Sequence, residues 1–311
     1  MNPLPFNRPF MAGQELAYIS EAYRNGHLSS NGPFTRRCET WLEKFTGSPR
    51  AILVHSATAA LEMAAILADI RPGDEVLLPS FTFVSTANAF VLRGAVPVFV
   101  DIRPDTLNMD EKKIEAAITP KTRAIVPVHY SGVSCEMDTI LRIARKHRLL
   151  VIEDAAQSIH CRYRGKTSGT LGQLAAVSFH ETKSVISGEG GALLINDPRF
   201  LERAEIIRDK GTNRKAFLAG QVDKYTWVDL GSSYGPPDYV AAFLMAQLES
   251  SEKIVRDRVA IWQRYHAGLA DLERQGLLRR PIIPADCEHS AHLYYVLLAK
   301  PEWRDSFIQS L

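Results

Sequence analysis

Residues 149–157 read LLVIEDAAQ: four apolar residues in a row, then Glu153 and Asp154, two alanines and Gln157. A continuous apolar run without polar alternation is the pattern of a strand buried on both faces, as in parallel sheets. Asp154 stands at the C-terminal end of that strand, and in open α/β sheets ligands bind beyond those ends. A carboxylate there pairs with a cationic ring nitrogen such as a protonated pyridine. Its charge raises the nitrogen's pKa and keeps the ring an electron sink. Gln157, three residues on, is within reach of the same ligand. The plainer reading makes Asp154 a helix N-cap.

The flanking sequence repeats the same alternation. Upstream come a helical pattern from Thr58 to Ile70, the strand DEVLLPS (74–80) and a helix from Val84 to Leu92. The strand VPVFVDI (96–102), the segment LNMDEKKIEAAI (107–118), the strand TRAIVPVH (122–129) and the helix MDTILRIARKHR (137–148) follow. In 107–118, Asn108 and Glu111 have capping-box spacing. Helix and strand alternate throughout, which argues for an α/β fold with a mostly parallel sheet covered on both faces. Beyond Ala192, ALLIND reads as a strand and a charged helix runs to about Arg208. Residues 211–237, rich in Gly, Lys, Asn, Ser and Pro, read as a long functional loop. A long helical pattern covers 238–275, with Val240, Phe243, Leu244 and Leu248 on its apolar face and Glu252 and Arg256 spaced as an i,i+4 pair. LYYVLLA, from Leu293, reads as a strand of a second, smaller domain. After it, Trp303, Phe307 and Leu311 recur at helical spacing.

The bulk numbers exclude several classes. The chain has 311 residues, 46% hydrophobic and 23% charged, an ordinary globular balance. Lys plus Arg number 37 against 35 acids, a net of +2, which gives no electrostatic case for nucleic acid or an anionic membrane. Cys38, Cys135, Cys161 and Cys287 are far apart with no CxxC pair, so neither a zinc site nor a disulfide framework is expected. MNPLPFNRPFMAG is not built as a signal peptide, and no apolar stretch is long enough for a membrane span. A cytoplasmic protein with reduced thiols is the expectation.

Three further segments carry chemistry. In VSFHETKSVISGEGG (177–191) an apolar strand gives way to Lys183 and then to Gly188, Gly190 and Gly191. A lysine amine forms Schiff bases with aldehydes once burial lowers its pKa, and glycines let the backbone pass close to a bound ring. Taken alone, a lysine before glycines is usually a solvated surface residue. In HSATAALEMA (55–64), Ser56 and Thr58 precede a helix whose free N–H groups make an anion cradle, with simple capping as the alternative. Phe81, in PSFTFVSTANAF (79–90), follows a strand and either stacks on a flat cofactor or joins the core.

Taken in order, these segments form a specific combination. A small-residue phosphate turn, an aromatic after a strand, a strand-end Asp with Gln, Ser-Phe-x-x-x-Lys and Gly-Glu-Gly-Gly together resemble the nucleotide-sugar aminotransferases of the DegT/StrS family, fold-type-I pyridoxal enzymes. The stretches GDEVLLPSFTFVSTANAFVLRGA, IVPVHYSGVSCEMDTI, VIEDAAQS, SFHETK and IIRDKGTNRKAFLAGQVDKYTW carry the resemblance, which runs from about Pro5 to the last residue. It implies a large domain (14–240) with a seven-stranded-type sheet and a small domain (241–311 with 1–13). It implies pyridoxal 5'-phosphate held as a Schiff base by Lys183, with Asp154 on the pyridine nitrogen, Gln157 near the phenolic oxygen and Phe81 stacked. Ala57, Thr58 and Ser178, and more weakly Ser56, would hold the phosphate. The implied reaction moves an amino group from L-glutamate to the C4 ketone of dTDP-4-keto-6-deoxyglucose, in a homodimer with sites at the subunit interface.

Two departures accompany the resemblance. Many members carry Gly-x-Asn-x-Arg-Met where this chain has GSSYGPPD (231–238), so Ser233 takes the place of the cross-subunit phosphate ligand. Members also continue for several tens of residues, so the small domain is expected to be incomplete, with cofactor held but sugar nucleotide bound poorly. A sister branch of sugar dehydratases replaces the lysine by histidine, and Lys183 argues against it. A relative that binds the cofactor without efficient turnover is the non-enzymatic alternative.

Overall fold

The computed structural model describes residues 5–311. The first four of residues 1–13, assigned above to the small domain, lie outside the described residues. Helices α1 (Glu15–Arg24) and α2 (Pro33–Thr46) lead into β1 (Arg50–Val54), α3 (Ala57–Leu67), β2 (Glu75–Pro79), α4 (Ser85–Val91) and β3 (Val96–Val100). Then come β4 (Thr122–Ile125), α5 (Met137–His147), β5 (Leu150–Asp154), β6 (Leu174–Ser178), β7 (Gly191–Ile195) and α6 (Leu201–Arg208). The long C-terminal helices are α7 (Asp238–Glu249) and α8 (Ser251–Gly268).

One seven-stranded sheet runs in the order β1-β7-β6-β5-β4-β2-β3. Strands β6, β5, β4, β2 and β3 are mutually parallel, while β7 lies antiparallel between β1 and β6. Every residue of β6 and β7 is buried, as expected for central strands covered on both faces. Alanines dominate the contact between α3 and the sheet: Ala59, Ala60, Ala64 and Ala65 are buried with Leu61, Met63 and Leu67. The opposite face is covered by α1, α2 and α7 through Ala22, Phe34, Leu42, Leu244 and Leu248. Asp238, fully buried, caps α2 from α7: it accepts from the Thr35 N–H and hydroxyl, both at 2.8 Å, and from the Phe34 N–H at 3.2 Å.

Two features fix the C-terminal end of β5. Glu153, fully buried, points to the back of the sheet and accepts the N–H groups of Gly169, Leu171 and Gly172 at 2.6–2.8 Å. His129 completes it: its Nδ1 accepts the Cys135 N–H, so Nε2 carries the proton toward Glu153 at 2.8 Å. Because side chains alternate along a strand, anchoring Glu153 on one face sets Asp154 on the other.

Several local readings are corrected. Asn108 is not the cap of the 107–118 segment. Its amide is buried, donating to the Val133 carbonyl and accepting from the Tyr130 N–H, both at 2.9 Å, and Asp110 caps instead by accepting from the Lys112 N–H. The helical pattern over 238–275 breaks at Ser250 and Leu269. Leu244 and Leu248 are buried, but the i,i+4 ion pair that forms joins Lys253 and Asp257 at 2.8 Å, not Glu252 and Arg256. Within 211–237 a short helix, Arg214–Leu218, interrupts the loop. LYYVLLA contributes only Leu297 and Leu298 to a two-residue pairing with Leu278–Arg279. The carbonyls of Ala291, His292 and Leu293 accept instead from Arg258 and the Ser131 hydroxyl, so side chains take the bonds a strand partner would have made.

Candidate active site

A cavity of about 560 Å³ opens at the C-terminal edge of the sheet. Successive strand ends feed it: Ser56, Ala57 and Thr58 follow β1, Phe81 follows β2, Val128 and Tyr130 follow β4, Asp154 and Gln157 close β5, and Ser178 ends β6. Strand β7 runs the other way, so its first residues, with Gly190, arrive at the same edge. Lys183 lies on the loop between β6 and β7. The cavity therefore gathers eight of the nine residues singled out from the sequence; Ser233 lies outside it. Ser233 is exposed and lines a small crevice with Ser30, Lys210 and Arg214.

Each member has a defined setting. Asp154 is buried; one oxygen accepts the Thr86 hydroxyl at 2.7 Å and the other the Ala156 N–H at 3.1 Å. The second contact is an Asx-type bond across a turn; no helix begins there, so Asp154 is not the helix N-cap weighed above, and its local bond coexists with the position at the cavity wall. All its partners are neutral, so its negative charge is free to meet a cation from the cavity. Thr86, fully buried, in turn shares a 2.7 Å bond with Thr82. Burial pushes the Lys183 amine below its ordinary value, against the pull of the Asp154 carboxylate. A lysine held that way is a better nucleophile at neutral pH. His292 is half-buried beside it; desolvation, then the charges of Lys183 and Arg258, push His292 down to about 3, so it stays neutral.

The helix start is an anion cradle with one place taken. Ser56 caps α3, its hydroxyl accepting the Ala59 N–H at 3.1 Å. The N–H groups of Ala57 and Thr58 are the first two of the helix and have no intrahelical acceptor. Thr58 and Ser85 hydroxyls meet at 2.8 Å. A Cβ on Gly191 would come within 2.4 Å of the Ser56 carbonyl carbon and 2.5 Å of the Ala57 nitrogen, so only glycine lets β7 close against this turn. Phe81 is 43% exposed, which removes it from the core; its ring lies tilted 4.8 Å from that of Tyr130. Gln157 accepts the Ser131 N–H on its Oε1 at 2.7 Å.

These features fit a pyridoxal phosphate: unused helix N–H groups for the phosphate, a carboxylate with neutral partners for the ring nitrogen, an exposed aromatic, and a desolvated lysine on one wall. Sequence reasoning missed Thr86, Tyr130, Ser131 and His292. Thr86 falls in the same PSFTFVSTANAF stretch as Phe81, but nothing local marks a threonine that bonds a carboxylate 68 positions away. A second opening, of about 440 Å³, is lined by Arg36, Arg50, Glu39 and Glu205. Most of its charges pair among themselves, Arg50 with Glu39, Glu43 and Glu205 at 2.8 Å each, which makes a structural ion network, while Arg36 donates to the Asn31 carbonyl at 2.8 Å.

Such a site on such a sheet defines a pyridoxal-phosphate-dependent transferase. Residues 9–311 match the DegT/DnrJ/EryC1/StrS aminotransferase family, and the chain belongs to it, as a sugar aminotransferase with pyridoxal phosphate as its cofactor. It is 36% identical over 294 residues to the spore coat polysaccharide biosynthesis protein SpsC of Bacillus subtilis, covering 94% of this chain and 75% of that one. It is 37% identical over 307 residues to GDP-perosamine synthase of Caulobacter vibrioides, covering 97% and 80%. Among solved structures, the PLP form of Spr1654 from Streptococcus pneumoniae superposes with a TM-score of 0.90 at 27% identity, covering 99% of this chain and 82% of that one. The aminotransferase TlmJ from Streptoalloteichus hindustanus gives 0.91 at 30%, covering 99% and 81%.

Proposed function

We propose that this chain transfers an amino group from L-glutamate to the C4 ketone of a dTDP-4-keto-6-deoxyhexose, in the manner of the dTDP-4-amino-4,6-dideoxygalactose transaminase of enterobacterial common antigen synthesis. The observation that carries the chemistry is Lys183 and Asp154 on the walls of one cavity. The choice of sugar rests on the long stretches quoted above, 73–95 and 206–227 among them. When bound, pyridoxal phosphate supplies the electron sink that lets a proton leave the carbon bearing nitrogen. The protein does the rest. Asp154 would hold the ring nitrogen protonated, with Thr86 keeping Asp154 in place. Phe81 would cover one face of the ring. Ala57 and Thr58 would bind the phosphate with backbone N–H groups, with Ser56 and Ser178 beside them. The Lys183 Nζ would hold the cofactor and carry the proton. Residues 14–240 form the cofactor-binding domain in this reading, and 241–311 with the N-terminal segment the smaller one.

The nucleotide is the point on which a second reading has support, because one relative's name specifies a GDP-linked sugar. The purified protein, loaded with pyridoxal phosphate and L-glutamate, is to be offered dTDP- and GDP-linked 4-keto-6-deoxyhexoses in turn. Amino-sugar nucleotide from the dTDP substrate, at a kcat/KM at least tenfold above that for the GDP substrate, is expected. The reverse preference overturns the dTDP assignment.

A cytoplasmic homodimer is the working form in this reading. The exposed apolar residues Phe83, Leu92 and Phe99 around β3, and Trp227 and Leu230 in the 211–237 loop, are 47–76% exposed and are suited to burial against a second copy. Ser233 would then reach the partner's phosphate. Multi-angle light scattering at assay concentration is expected to give twice the 34.7 kDa chain mass; a monomer with full activity would refute the shared site.

A further inference from the structure

Gln157 is an amide, and an amide can present either of its ends. Here the oxygen is committed to the wall: Oε1 accepts the Ser131 N–H at 2.7 Å. The flipped amide would set two N–H donors against each other. The NH2 group is therefore the end Gln157 offers the cavity. What aims the Ser131 N–H is an unusual turn. Ser131 has φ 59° and ψ 14°, and Gly132 follows at φ 78°. A residue with a Cβ stays in the left-handed region only where its surroundings hold it there.

Three contacts do so. The Asn108 amide oxygen accepts the Tyr130 N–H at 2.9 Å. A Cβ on Gly132 would stand 3.0 Å from both the Gln157 carbonyl and the Ser290 hydroxyl, so the turn is wedged between them. The Ser131 hydroxyl donates to the Leu293 carbonyl at 3.2 Å. That carbonyl belongs to the 290–295 segment, whose two preceding carbonyls are held by Arg258. A second line runs alongside: the Tyr130 ring touches Phe81 at 4.8 Å and Tyr295 at 5.9 Å. The 290–295 segment is thus joined to both groups assigned to the cofactor ring, to Gln157 through one serine and to Phe81 through one tyrosine.

From this geometry we propose that Ser131 is a positioning residue: it holds the Gln157 amide with NH2 toward the cavity and ties that setting to the 290–295 segment. The proposal rests on the reading of the cavity as a pyridoxal phosphate site with Gln157 at the phenolic oxygen. A donor there favours the oxygen's anionic form and so lowers the proton affinity of the nitrogen joined to Lys183. When the amide loses its orientation, that affinity rises.

The test uses full-length protein loaded with pyridoxal phosphate, as wild type, Gln157→Leu and Ser131→Gly. Glycine keeps the left-handed backbone and removes only the hydroxyl link. The visible cofactor band is titrated against pH. Gln157→Leu is expected to move the midpoint upward, and Ser131→Gly to move it the same way by about half a pH unit, a threefold change in proton affinity. Hydrogen exchange on cofactor-free protein is expected to show faster exchange across 290–295 in Ser131→Gly. Faster exchange with an unmoved midpoint would mean that Ser131 only fastens the segment, and unmoved exchange would remove the coupling; either result overturns the proposal. If the wild type shows no band that depends on Lys183, the functional reading fails and this inference with it. A wild-type band with an unshifted Ser131→Gly midpoint defeats this inference alone.

Discussion

Lys183→Ala should abolish both the yellow colour of the cofactor-loaded protein and amino transfer. Among the described residues, no other lysine lines the cavity. Borohydride reduction of the wild type, followed by peptide mapping, should place the pyridoxyl group on Lys183, and a label on any other lysine ends the assignment. Burial makes a second, cofactor-free readout. The folded-state pKa of Lys183 lies below its ordinary value of 10.5. Between the folded and unfolded pKa values the unfolded chain binds more protons, so stability rises with pH through that window. Below the window the buried charge is a standing cost. Lys183→Met should therefore raise the melting temperature of the apoprotein at neutral pH, and the gain should shrink as the pH approaches 10.5. A loss of stability at neutral pH would show that the amine is not held against solvent.

Asp154→Asn should leave the fold intact and retain some cofactor, because the Asn Oδ1 can still accept the Ala156 N–H while its NH2 group donates to the Thr86 hydroxyl oxygen in place of the bond Thr86 now gives. It cannot keep a pyridine nitrogen protonated. The expected loss in kcat is on the order of 10²-fold or more, several kcal/mol of transition-state stabilisation. Steady-state kinetics alongside far-ultraviolet circular dichroism separates this from misfolding. A near-normal rate would reduce the carboxylate to its local role of capping the 154–156 turn.

Most of the architecture was legible in the sequence because it is written in local period. The apolar runs at 74–80, 122–129 and 149–154 predicted central strands, and the sheet contains all three. The antiparallel run of β7 was not legible, since direction depends on which edge the preceding loop returns to. Local rules failed where a distant partner claimed the group in question. Asn108 had the spacing of a cap, but Val133 and Tyr130 took its amide. LYYVLLA had strand composition, but Ser131 took the carbonyl of its first residue, Leu293, and Arg258 the two carbonyls just before it. Thr86, Ser131 and His292 were missed for the same reason: their meaning lies in partners 68, 162 and 109 positions away. The residues of the cavity itself were found through their order along the chain, each following a strand.

The placing of β7 between β1 and β6 bears on how the protein comes into being. Arg50 pairs opposite Ile195, and Val54 opposite Gly191. Strand β1 therefore has no sheet partner until residues 191–195 have been made. Until then the α3 N–H groups have no wall facing them, because Gly191 closes that turn and Lys183 has only just been translated. Long-range pairing of this kind is slow to form. A nascent chain cannot take up the cofactor piecemeal, since its phosphate turn, its acid and its lysine become neighbours in one closing event. Yellow colour in a preparation would thus count finished molecules.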